Sequence, residues 1–283
     1  FTRRKSTITM TTITIDPSKC NGCKICMSLC PYCILEMKEG ENVASPNPDL
    51  IPFCSKCGHC SAVCPQGAID VDYEGAGPIP DCASDSIPSF GNLSRLMMVR
   101  RSVRSYKEKP VPREILQKIL DVVRYAPTGM NGQSVRWLVV ENPDEVKKIV
   151  AGTVEWACKL MQTDIEHPLK PILPMIIDAW ERGEDHVCHG APHLVVAYTH
   201  KQNPIGFIDA IIALTHVDLA APALGLGTCW AGIVQIAWNE SPDLVARLGL
   251  PADHIPMYAM MIGYPRYKFS QIPKRNALQV IWK

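Results

Sequence analysis

Apolar residues recur at helical spacing in one part of the chain and run almost without interruption in three others. Residues 114–125 are apolar at positions 115, 116, 119, 120, 122 and 123, which predicts an amphipathic helix. Residues 137–140, 193–198 and 257–263 are short apolar runs, which predict buried strands. The pattern therefore predicts a buried sheet accompanied by at least one surface helix.

Three further segments are predicted to be helical. Residues 144–150 follow an Asn-Pro turn. Residues 209–224 are apolar nearly all round, which suits either a buried core helix or a dimer interface. Residues 154–187 form a helical excursion that three prolines interrupt. Strands and helices alternate without a regular β-α-β count, so we predict an α+β fold with helices packed on a mixed sheet.

The N-terminal part of the chain repeats with an offset of 34 positions. Ile13–Ile15 leads into a first group of cysteines, and Ile51–Phe53 leads into a second. A short apolar strand candidate follows each group, at residues 33–37 and at Ile69–Val71. Two similar halves of strand, cysteine loop, short helix and strand predict a small pseudo-symmetric domain.

A change in composition divides the chain into two domains. Residues 74–92 are rich in Gly, Pro, Ser and Asp and predict a linker. We therefore predict a cysteine-rich domain over residues 10–73 and an ordinary globular domain over residues 93–283. Residues 1–9 are treated as a leader outside the fold, either an expression remnant or an upstream extension.

Composition and charge limit what the chain can do. Apolar residues make up 47% of the 283 residues and charged residues 20%, so the chain can bury a substantial core. The 29 basic and 28 acidic side chains leave a net charge of +1, which gives no global field for nucleic acid. No uninterrupted apolar run of about 18 residues is present, so we predict no membrane span.

The cysteines are concentrated in the first domain. Nine of the 13 cysteines lie between Cys20 and Cys64. An odd number of cysteines, in a chain whose first residues lack an apolar signal segment, does not suit a secreted disulfide scaffold. We therefore predict a reducing, cytoplasmic location and a metal-binding role for this dense group.

The dense cysteines follow the pattern C-x2-C-x2-C-x3-C-P, once at residues 20–31 and again at residues 54–65. A cubic [4Fe–4S] cluster needs four thiolates that converge from different directions, and the two-residue gaps bring three of them from one tight loop. Structural zinc is the alternative, but zinc sites usually present two C-x2-C knuckles separated by a longer spacer. The third cysteine of each run and the duplication of the whole run favour iron–sulfur clusters.

This segment resembles the bacterial two-cluster ferredoxins over about 60 residues. The resemblance implies that the last cysteine of each run serves the cluster of the other run. One cluster would take Cys20, Cys23, Cys26 and Cys64, and the other would take Cys54, Cys57, Cys60 and Cys30. Cys33 lies outside the pattern and is interpreted as a packed thiol near a cluster, with a ligand role as the alternative.

Basic residues stand near both ends of the second domain. Its early segment RRSVR places three guanidinium groups and a hydroxyl within five residues, and these groups suit a phosphate through charge-assisted bonds. A solvated basic surface is the alternative interpretation. More cations follow the GYP sequence at residues 263–265. The candidate phosphate ligands are Arg100, Arg101, Ser102 and Arg104, and the later cations are Lys274 and Arg275.

Two segments between these basic residues are suited to a flat ligand. Residues 126–133, APTGMNGQ, form a predicted tight loop in which Thr128, Asn131 and Gln133 offer hydrogen bonds to a polar ring edge. Residues 225–232, GLGTCWAG, are mostly small and would let backbone N–H groups approach a ring closely.

In order and spacing, these four blocks resemble the nitroreductase family of FMN-dependent flavoproteins. The resemblance implies that the basic residues hold the FMN phosphate and that the protein is an interlocked homodimer with FMN at the interface. The other implied contacts are Asn131 and Gln133 to the ribityl chain or the isoalloxazine edge, Pro127 and Thr128 along the adjacent wall, and the main chain of Thr228, Cys229 and Trp230 against the flavin.

The sequence departs from that family in two places. The common loop has Pro-Trp shortly after its Gln, whereas SVRW stands at residues 134–137, so Arg136 either brings charge to the cofactor or faces solvent. Residues 154–187 resemble the variable lid of the family over its substrate pocket. The sequence HVCH at residues 186–189 favours satisfied polar residues over a metal or proton-donor role. Cys229 is interpreted as a packing residue rather than a nucleophile.

Together these features predict an FMN-dependent oxidoreductase. Electrons from a low-potential donor, either a ferredoxin-like protein or NAD(P)H, would pass through two [4Fe–4S] clusters to FMN and on to an electron-poor small molecule. Nitroaromatic, quinone and conjugated compounds are the expected acceptors. An electron-transfer module that serves a partner protein is the second interpretation, and a zinc-binding interaction protein is a remote third. No catalytic side chain is assigned, because the flavin would supply the chemistry.

Overall fold

The computed structural model describes residues 13–73 and 87–283. The leader predicted at residues 1–9 and residues 74–86 of the predicted linker lie outside the described residues. The described chain forms two compact units, and each is treated by itself. The first unit contains residues 13–73 together with residues 130–132, and the second contains the rest.

The first unit has short elements joined by long loops. Its elements are β1 (Ile13–Ile15), α1 (Ile25–Leu29), β2 (Leu35–Glu36), β3 (Ser45–Pro46), a 3₁₀ helix (Ile51–Phe53), α2 (His59–Ala62) and β4 (Ile69–Val71). β1 pairs antiparallel with β4, with Ile13 opposite Val71, and β2 pairs antiparallel with β3. A small core includes Ile34, Leu35 and Ile69, and several cysteines of the two runs pack against it.

The predicted repeat is only partly present in the secondary structure. Each cysteine run contains a short helix, as predicted. The prediction of a strand at Ile51–Phe53 is wrong, because Pro52 lacks the N–H that a strand ladder needs and the segment forms a 3₁₀ helix. Of the candidate strand at residues 33–37, only Leu35–Glu36 pairs, since the backbone of Cys33 is left-handed. Its partner β3 was not predicted from the sequence.

The second unit contains a four-stranded sheet and seven α-helices among its described residues. They are α3 (Phe90–Val99), α4 (Arg113–Val123), β5 (Arg136–Val140), α5 (Pro143–Met161), α6 (Leu173–Glu181), β6 (His193–His200), α7 (Gly206–Ala220), β7 (Gly227–Trp230), α8 (Gly232–Glu240), α9 (Pro242–Ala246) and β8 (His254–Gly263), with 3₁₀ turns at Gly129–Asn131 and Ala221–Leu224. The strand order is β5-β6-β8-β7, and neighbouring strands are antiparallel. A parallel bridge between Ser102 and Thr228 extends the sheet beyond β7, so the sheet is mixed there.

Both faces of the central strands β6 and β8 are buried. Leu194 and Met261 face a core shared with α5, α6 and α8. Val195 and Met260 face a second core shared with α4 and α7. Helices therefore cover the sheet on both sides, which explains why these strands are continuous apolar runs in the sequence.

Several helix boundaries differ from those predicted. The helix predicted at residues 209–224 begins at Gly206, and its last turn, Ala221–Leu224, is a 3₁₀ helix. α5 extends the helix predicted at residues 144–150 as far as Met161, because its buried face continues without a break through Leu160. α6 accommodates Pro174 in its first turn, where the missing N–H has no helical partner to lose. α3 begins at Phe90, inside the segment predicted as linker, and the Ser89 hydroxyl caps it.

α7 and the turn after it form the most apolar segment of the second unit. Gly206–Leu224 is long and apolar enough to cross a membrane by length and composition alone, with a mean hydropathy of 1.6 and 39% of that window buried. The segment also carries two buried carboxylates, Asp209 and Asp218, and it packs against β6, β8 and α4. Carboxylates are costly at a bilayer centre, whereas packing on the sheet accounts for the apolar face.

Candidate cofactor sites

Four cysteines line each of two cavities in the first unit. The cavity of about 350 Å³, the first cavity, is lined by Cys20, Cys23, Cys26 and Cys64. The cavity of about 450 Å³, the second cavity, is lined by Cys54, Cys57, Cys60 and Cys30. Each cavity thus takes three thiols from one run and the last thiol of the other run.

The backbone of the two cysteine runs bends in the same way at equivalent positions. In the first run, Gly22 and Lys24 have φ values of 70° and 63°. In the second run, Lys56 and Gly58 have φ values of 51° and 72°. These left-handed residues stand third and fifth in each run and turn the chain between successive cysteines. Each run therefore uses one glycine and one lysine, in opposite order, to close its loop around a cavity.

At both glycines a neighbouring group approaches so closely that a side chain would collide with it. A Cβ atom at Gly22 would lie 2.8 Å from the carbonyl oxygen of Asn42, and one at Gly58 would lie 2.5 Å from the Tyr73 hydroxyl oxygen. That hydroxyl donates a hydrogen bond to the Lys56 carbonyl at 2.7 Å. Tyr73 therefore ties the segment after β4 to the second cysteine loop, and Gly58 permits the close approach.

Backbone N–H donors and burial both affect the protonation of the cysteine thiols. The N–H groups of Ile34 and Ala68 donate to the Sγ of the last cysteine in the first and second run, at 3.4 Å and 3.3 Å. Burial raises the pKa of the Cys26 thiol and of the Cys60 thiol. Thiolates in such surroundings need positive charge nearby, and iron ions supply it. Four thiols that line one cavity therefore fit an iron–sulfur cluster.

The charges of two other arginines act on the Arg101 guanidinium in the second unit. Arg100 Nη1 lies 2.9 Å from Asp218 Oδ2. The Arg101 guanidinium donates to two main-chain carbonyl oxygens at the C-terminal end of α3. Burial, and then the positive charges of Arg275 and Arg100, lower the pKa of the Arg101 side chain. This concentration of positive charge fits a phosphate group.

The remaining basic-segment residues lie along the sheet edge or in the chain end. Ser102 forms a bridge with Thr228, whose carbonyl oxygen accepts the Val103 N–H at 2.8 Å. Arg104 is exposed. Lys274 and Arg275 lie in the exposed segment after β8, where Arg275 donates to the Lys274 carbonyl oxygen at 3.0 Å. The RRSVR segment is therefore anchored to β7 through its main chain.

The loop at residues 126–133 has a strained backbone. Asn131, Gln133 and one neighbour have positive φ values between 44° and 53°, which is uncommon for residues with side chains. The Gln133 N–H donates to the Thr128 hydroxyl at 3.0 Å and closes the loop, while Pro127 is exposed. Asn131 groups with the first unit, and its side-chain amide donates to two main-chain carbonyl oxygens there, at 2.8 Å and 3.2 Å.

The GLGTCWAG segment forms the edge strand β7. A Cβ atom at Gly227 would lie 2.4 Å from a methyl group of Val103, so the glycine permits the basic segment to pack on this strand. Cys229 is buried, and burial raises the pKa of its thiol, which suits a packing role. The half-buried Trp230 packs edge-to-face on Tyr258 with ring centroids 5.1 Å apart.

The HVCH stretch forms a turn around a carboxylate. Asp185 accepts hydrogen bonds from the backbone N–H groups of Val187, Cys188 and Gly190, at 2.8 to 3.0 Å. Cys188 is fully buried, and His189 is half-buried with a φ of 55° and a pKa that burial lowers. His186 lies within reach of a neighbouring glutamate. Arg136, at the start of β5, is exposed.

Sequence reasoning missed two buried carboxylates on α7. Besides its ion pair, Asp218 accepts a hydrogen bond from the Thr228 hydroxyl. Asp209 accepts from the Gly129 N–H at 3.0 Å and from the Ser134 hydroxyl at 3.3 Å. The signal was a charged residue in an otherwise apolar helix, because a carboxylate is rarely buried without partners.

Two family models match this chain. The model described as the Nitroreductase family matches residues 97–264, and the model described as a 4Fe-4S dicluster domain matches residues 19–69. An FMN reductase [NAD(P)H] of Bacillus subtilis is 29% identical over 186 residues, which cover 62% of this chain and 66% of that protein. An uncharacterized ferredoxin of Methanocaldococcus jannaschii is 42% identical over 64 residues, which cover 22% of this chain and 97% of that protein.

The second unit also matches solved structures. A nitroreductase with bound FMN from Desulfitobacterium hafniense aligns with a TM-score of 0.54 at 22% identity, over 67% of this chain and 98% of that one. This likeness concerns the fold. Because the family model covers more than half of the residues, the chain belongs to the nitroreductase family, and it carries a ferredoxin segment of the 4Fe-4S dicluster type ahead of that domain.

Proposed function

We propose that this protein is an FMN-dependent oxidoreductase whose two [4Fe–4S] clusters deliver electrons to the flavin. The observation that carries the proposal is the presence, on one chain, of two four-thiol cavities and a group of three neighbouring guanidiniums. FMN in the names of a relative and of a structural neighbour supports the identity of the flavin.

The first unit would hold the clusters through the thiols that line its cavities. One cluster is assigned to Cys20, Cys23, Cys26 and Cys64, and the other to Cys54, Cys57, Cys60 and Cys30. The shared cavity linings support this assignment, since each combines three thiols of one run with one thiol of the other.

FMN is proposed to bind along the basic segment, the 126–133 loop and β7. A phosphate dianion would relieve the repulsion among Arg100, Arg101 and Arg275. Ser102, Arg104 and Lys274 are assigned to the same phosphate group. The ribityl chain and the ring are assigned to Asn131, Gln133, Pro127, Thr128 and the main chain of Thr228, Cys229 and Trp230. When bound, FMN exchanges two electrons with an organic molecule and single electrons with a cluster.

The electron donor is proposed to be a low-potential carrier, either a ferredoxin-like protein or NAD(P)H. The name of the Bacillus subtilis relative includes NAD(P)H. The acceptor is proposed to be an electron-poor small molecule, such as a nitroaromatic, a quinone or a conjugated compound.

Anaerobic purification with assays for iron, zinc, sulfide and released flavin tests this proposal. We expect two [4Fe–4S] clusters and one FMN for each chain, and oxidation of the reduced protein by at least one acceptor class. Zinc in place of iron would refute the clusters, and full iron without flavin would refute the flavin site. A flavin that is reduced but passes electrons only to a partner protein would support the electron-transfer module instead.

We further propose that the protein is a cytoplasmic homodimer. α3 has no buried residue, Phe207 and Ile208 of α7 are 53% and 59% exposed, and Trp282 of the chain end is 90% exposed. A second copy would cover such apolar surface. Light scattering after gel filtration should give a dimer for the native chain and a monomer for Phe207→Asp, with the exposed-site variant Asp164→Asn as control. A monomeric native chain would contradict the proposal.

A further inference from the structure

α7 carries one buried carboxylate near each end. Asp209 is 3% exposed and Asp218 is 5% exposed. Their separation in sequence corresponds to about two and a half helical turns, so they leave the helix on opposite sides. Each accepts hydrogen bonds from a different part of the proposed flavin site, and neither is among the residues assigned to contact the flavin.

Asp218 joins three elements. One carboxylate oxygen lies 2.9 Å from Arg100 Nη1, and the other accepts the Thr228 hydroxyl. The Thr228 carbonyl oxygen in turn accepts the Val103 N–H. A guanidinium is a rigid, planar fork with five N–H donors, so a bond to one of its nitrogens fixes the direction of the others. Asp218 therefore orients Arg100 while leaving donors free for a phosphate.

Asp209 accepts hydrogen bonds from the residues on either side of positions 130–133, which include the strained residues of the loop. Its Oδ1 accepts the Gly129 N–H at 3.0 Å, and its Oδ2 accepts the Ser134 hydroxyl at 3.3 Å. Asn203 donates to the same hydroxyl oxygen at 2.9 Å, which fixes Ser134 further. A Cβ atom at Gly129 would lie 2.0 Å from the terminal methyl group of Ile205, so the loop packs closely on the residue that precedes α7.

We propose that Asp209 and Asp218 are positioning residues of the flavin site, each for a different part of FMN. Asp218 acts through Arg100 on the phosphate, and Asp209 acts through the 126–133 loop on the ribityl chain and ring. This inference rests on the proposed binding of FMN. It requires that the orientation of Arg100 by Asp218 outweighs the repulsion between this carboxylate and the phosphate.

The test compares FMN with riboflavin, which lacks the phosphate. Each flavin is titrated into the flavin-stripped full-length chain, and binding is followed by quenching of flavin fluorescence. We expect Asp218→Asn to weaken FMN binding about tenfold and to leave riboflavin binding within about twofold. We expect Asp209→Asn to weaken the binding of both flavins by similar factors. Asp164→Asn, at an exposed position, should change neither.

Three outcomes would overturn the inference. The first is an equal loss of affinity for both flavins in Asp218→Asn, and the second is tighter FMN binding in that variant. The third is unchanged flavin binding in Asp209→Asn. In an Arg100→Ala background, Asp218→Asn should have no further effect, and a full additional loss would also refute it. If Asp218→Asn does not fold, Thr228→Val removes the same hydroxyl bond and should give a smaller FMN-selective loss. A native chain that binds neither flavin would instead refute the proposed function, and the inference with it.

Discussion

The second cysteine loop should depend on a glycine that the first loop does without. Gly58 stands fifth in its run with a φ of 72°, and Lys24 stands at the equivalent position with a φ of 63°. We expect Gly58→Ala to destabilise the second cavity and the cluster proposed there. We expect the matched variant Lys24→Ala to have little effect on the first cavity, because that position already carries a side chain.

The size of the effect follows from two contacts. An alanine in the left-handed region costs about 1–2 kcal/mol. Its Cβ would lie 2.5 Å from the Tyr73 hydroxyl oxygen, which must move and give up its 2.7 Å bond to the Lys56 carbonyl oxygen. Loss of that half-buried bond costs about 1 kcal/mol. The sum of about 2–3 kcal/mol corresponds to an increase of about 30- to 150-fold in local opening of the loop. For Lys24→Ala we expect a change within about 0.5 kcal/mol.

An iron chelator measures this opening. The full-length chain is loaded with iron and sulfide without oxygen, the chelator is added, and the loss of cluster absorbance is followed. The native chain and Lys24→Ala should lose absorbance at similar rates. Gly58→Ala should lose about half of its absorbance much faster, since the two cavities have separate ligand sets, and the remainder at the native rate.

Two results would refute the reasoning. Equal rates for Gly58→Ala and Lys24→Ala would show that the two positions tolerate a side chain equally. The variant Tyr73→Phe separates the two causes of destabilisation, the steric contact and the left-handed backbone, because it removes the hydroxyl that the new Cβ would contact. If Gly58→Ala has its full effect in the Tyr73→Phe background, contact with the hydroxyl is not the cause.

Three other measurements test the sites and the fold. Cys64→Ala should remove the cluster of the first cavity and keep that of the second, so iron content should fall to about half; loss of all iron would contradict separate ligand sets. Cys33→Gly should keep the full iron content and raise the free energy of unfolding by about 0.5–1 kcal/mol. The reason is that Cys33 is exposed with a φ of 51°, and the equivalent position of the second repeat is Gly67. Loss of iron in this variant would show that Cys33 is a ligand. His193 accepts the Val111 N–H and donates to a carbonyl oxygen, and burial lowers its pKa, so the folded state favours the neutral ring. This stabilisation should be complete above pH 6.5 and decline as the pH falls below that value, and a pH series of denaturant titrations on His193→Asn should show a weaker decline.

In the first unit, the chemistry of the site could be predicted from the sequence, but the backbone conformation could be predicted only in part. Cysteine spacing is a covalent property, so the two runs and their duplication could be read directly. The left-handed backbone at the two lysines could not be predicted, because lysine is not a residue that favours this conformation. The 34-residue offset did contain the signal, since Lys24 aligns with Gly58 and Lys56 aligns with Gly22.

In the second unit, apolar runs located three strands because β6 and β8 are buried on both faces and β5 is half-buried beside them. β7 was not predicted as a strand, since GLGTCWAG has neither alternation nor a long apolar run. Its strand conformation comes from pairing with β8, about thirty residues later, in which Thr228 lies opposite Ile262. Local propensity gives no information about such a distant partner.

The basic motif illustrates the same limit at the site itself. Sequence analysis assigned Arg100 and Arg101 to a phosphate by their charge, their spacing and the family resemblance, without knowledge of their protein partners. In the structure both guanidiniums also have protein partners, Asp218 for Arg100 and the end of α3 for Arg101. A side chain that is already held in place loses less conformational freedom when a ligand binds, so these partners favour binding without touching the ligand. The partners are far from the motif in sequence or belong to the main chain. A motif therefore identifies the side chains that would bind a phosphate, and only the fold shows which residues orient them.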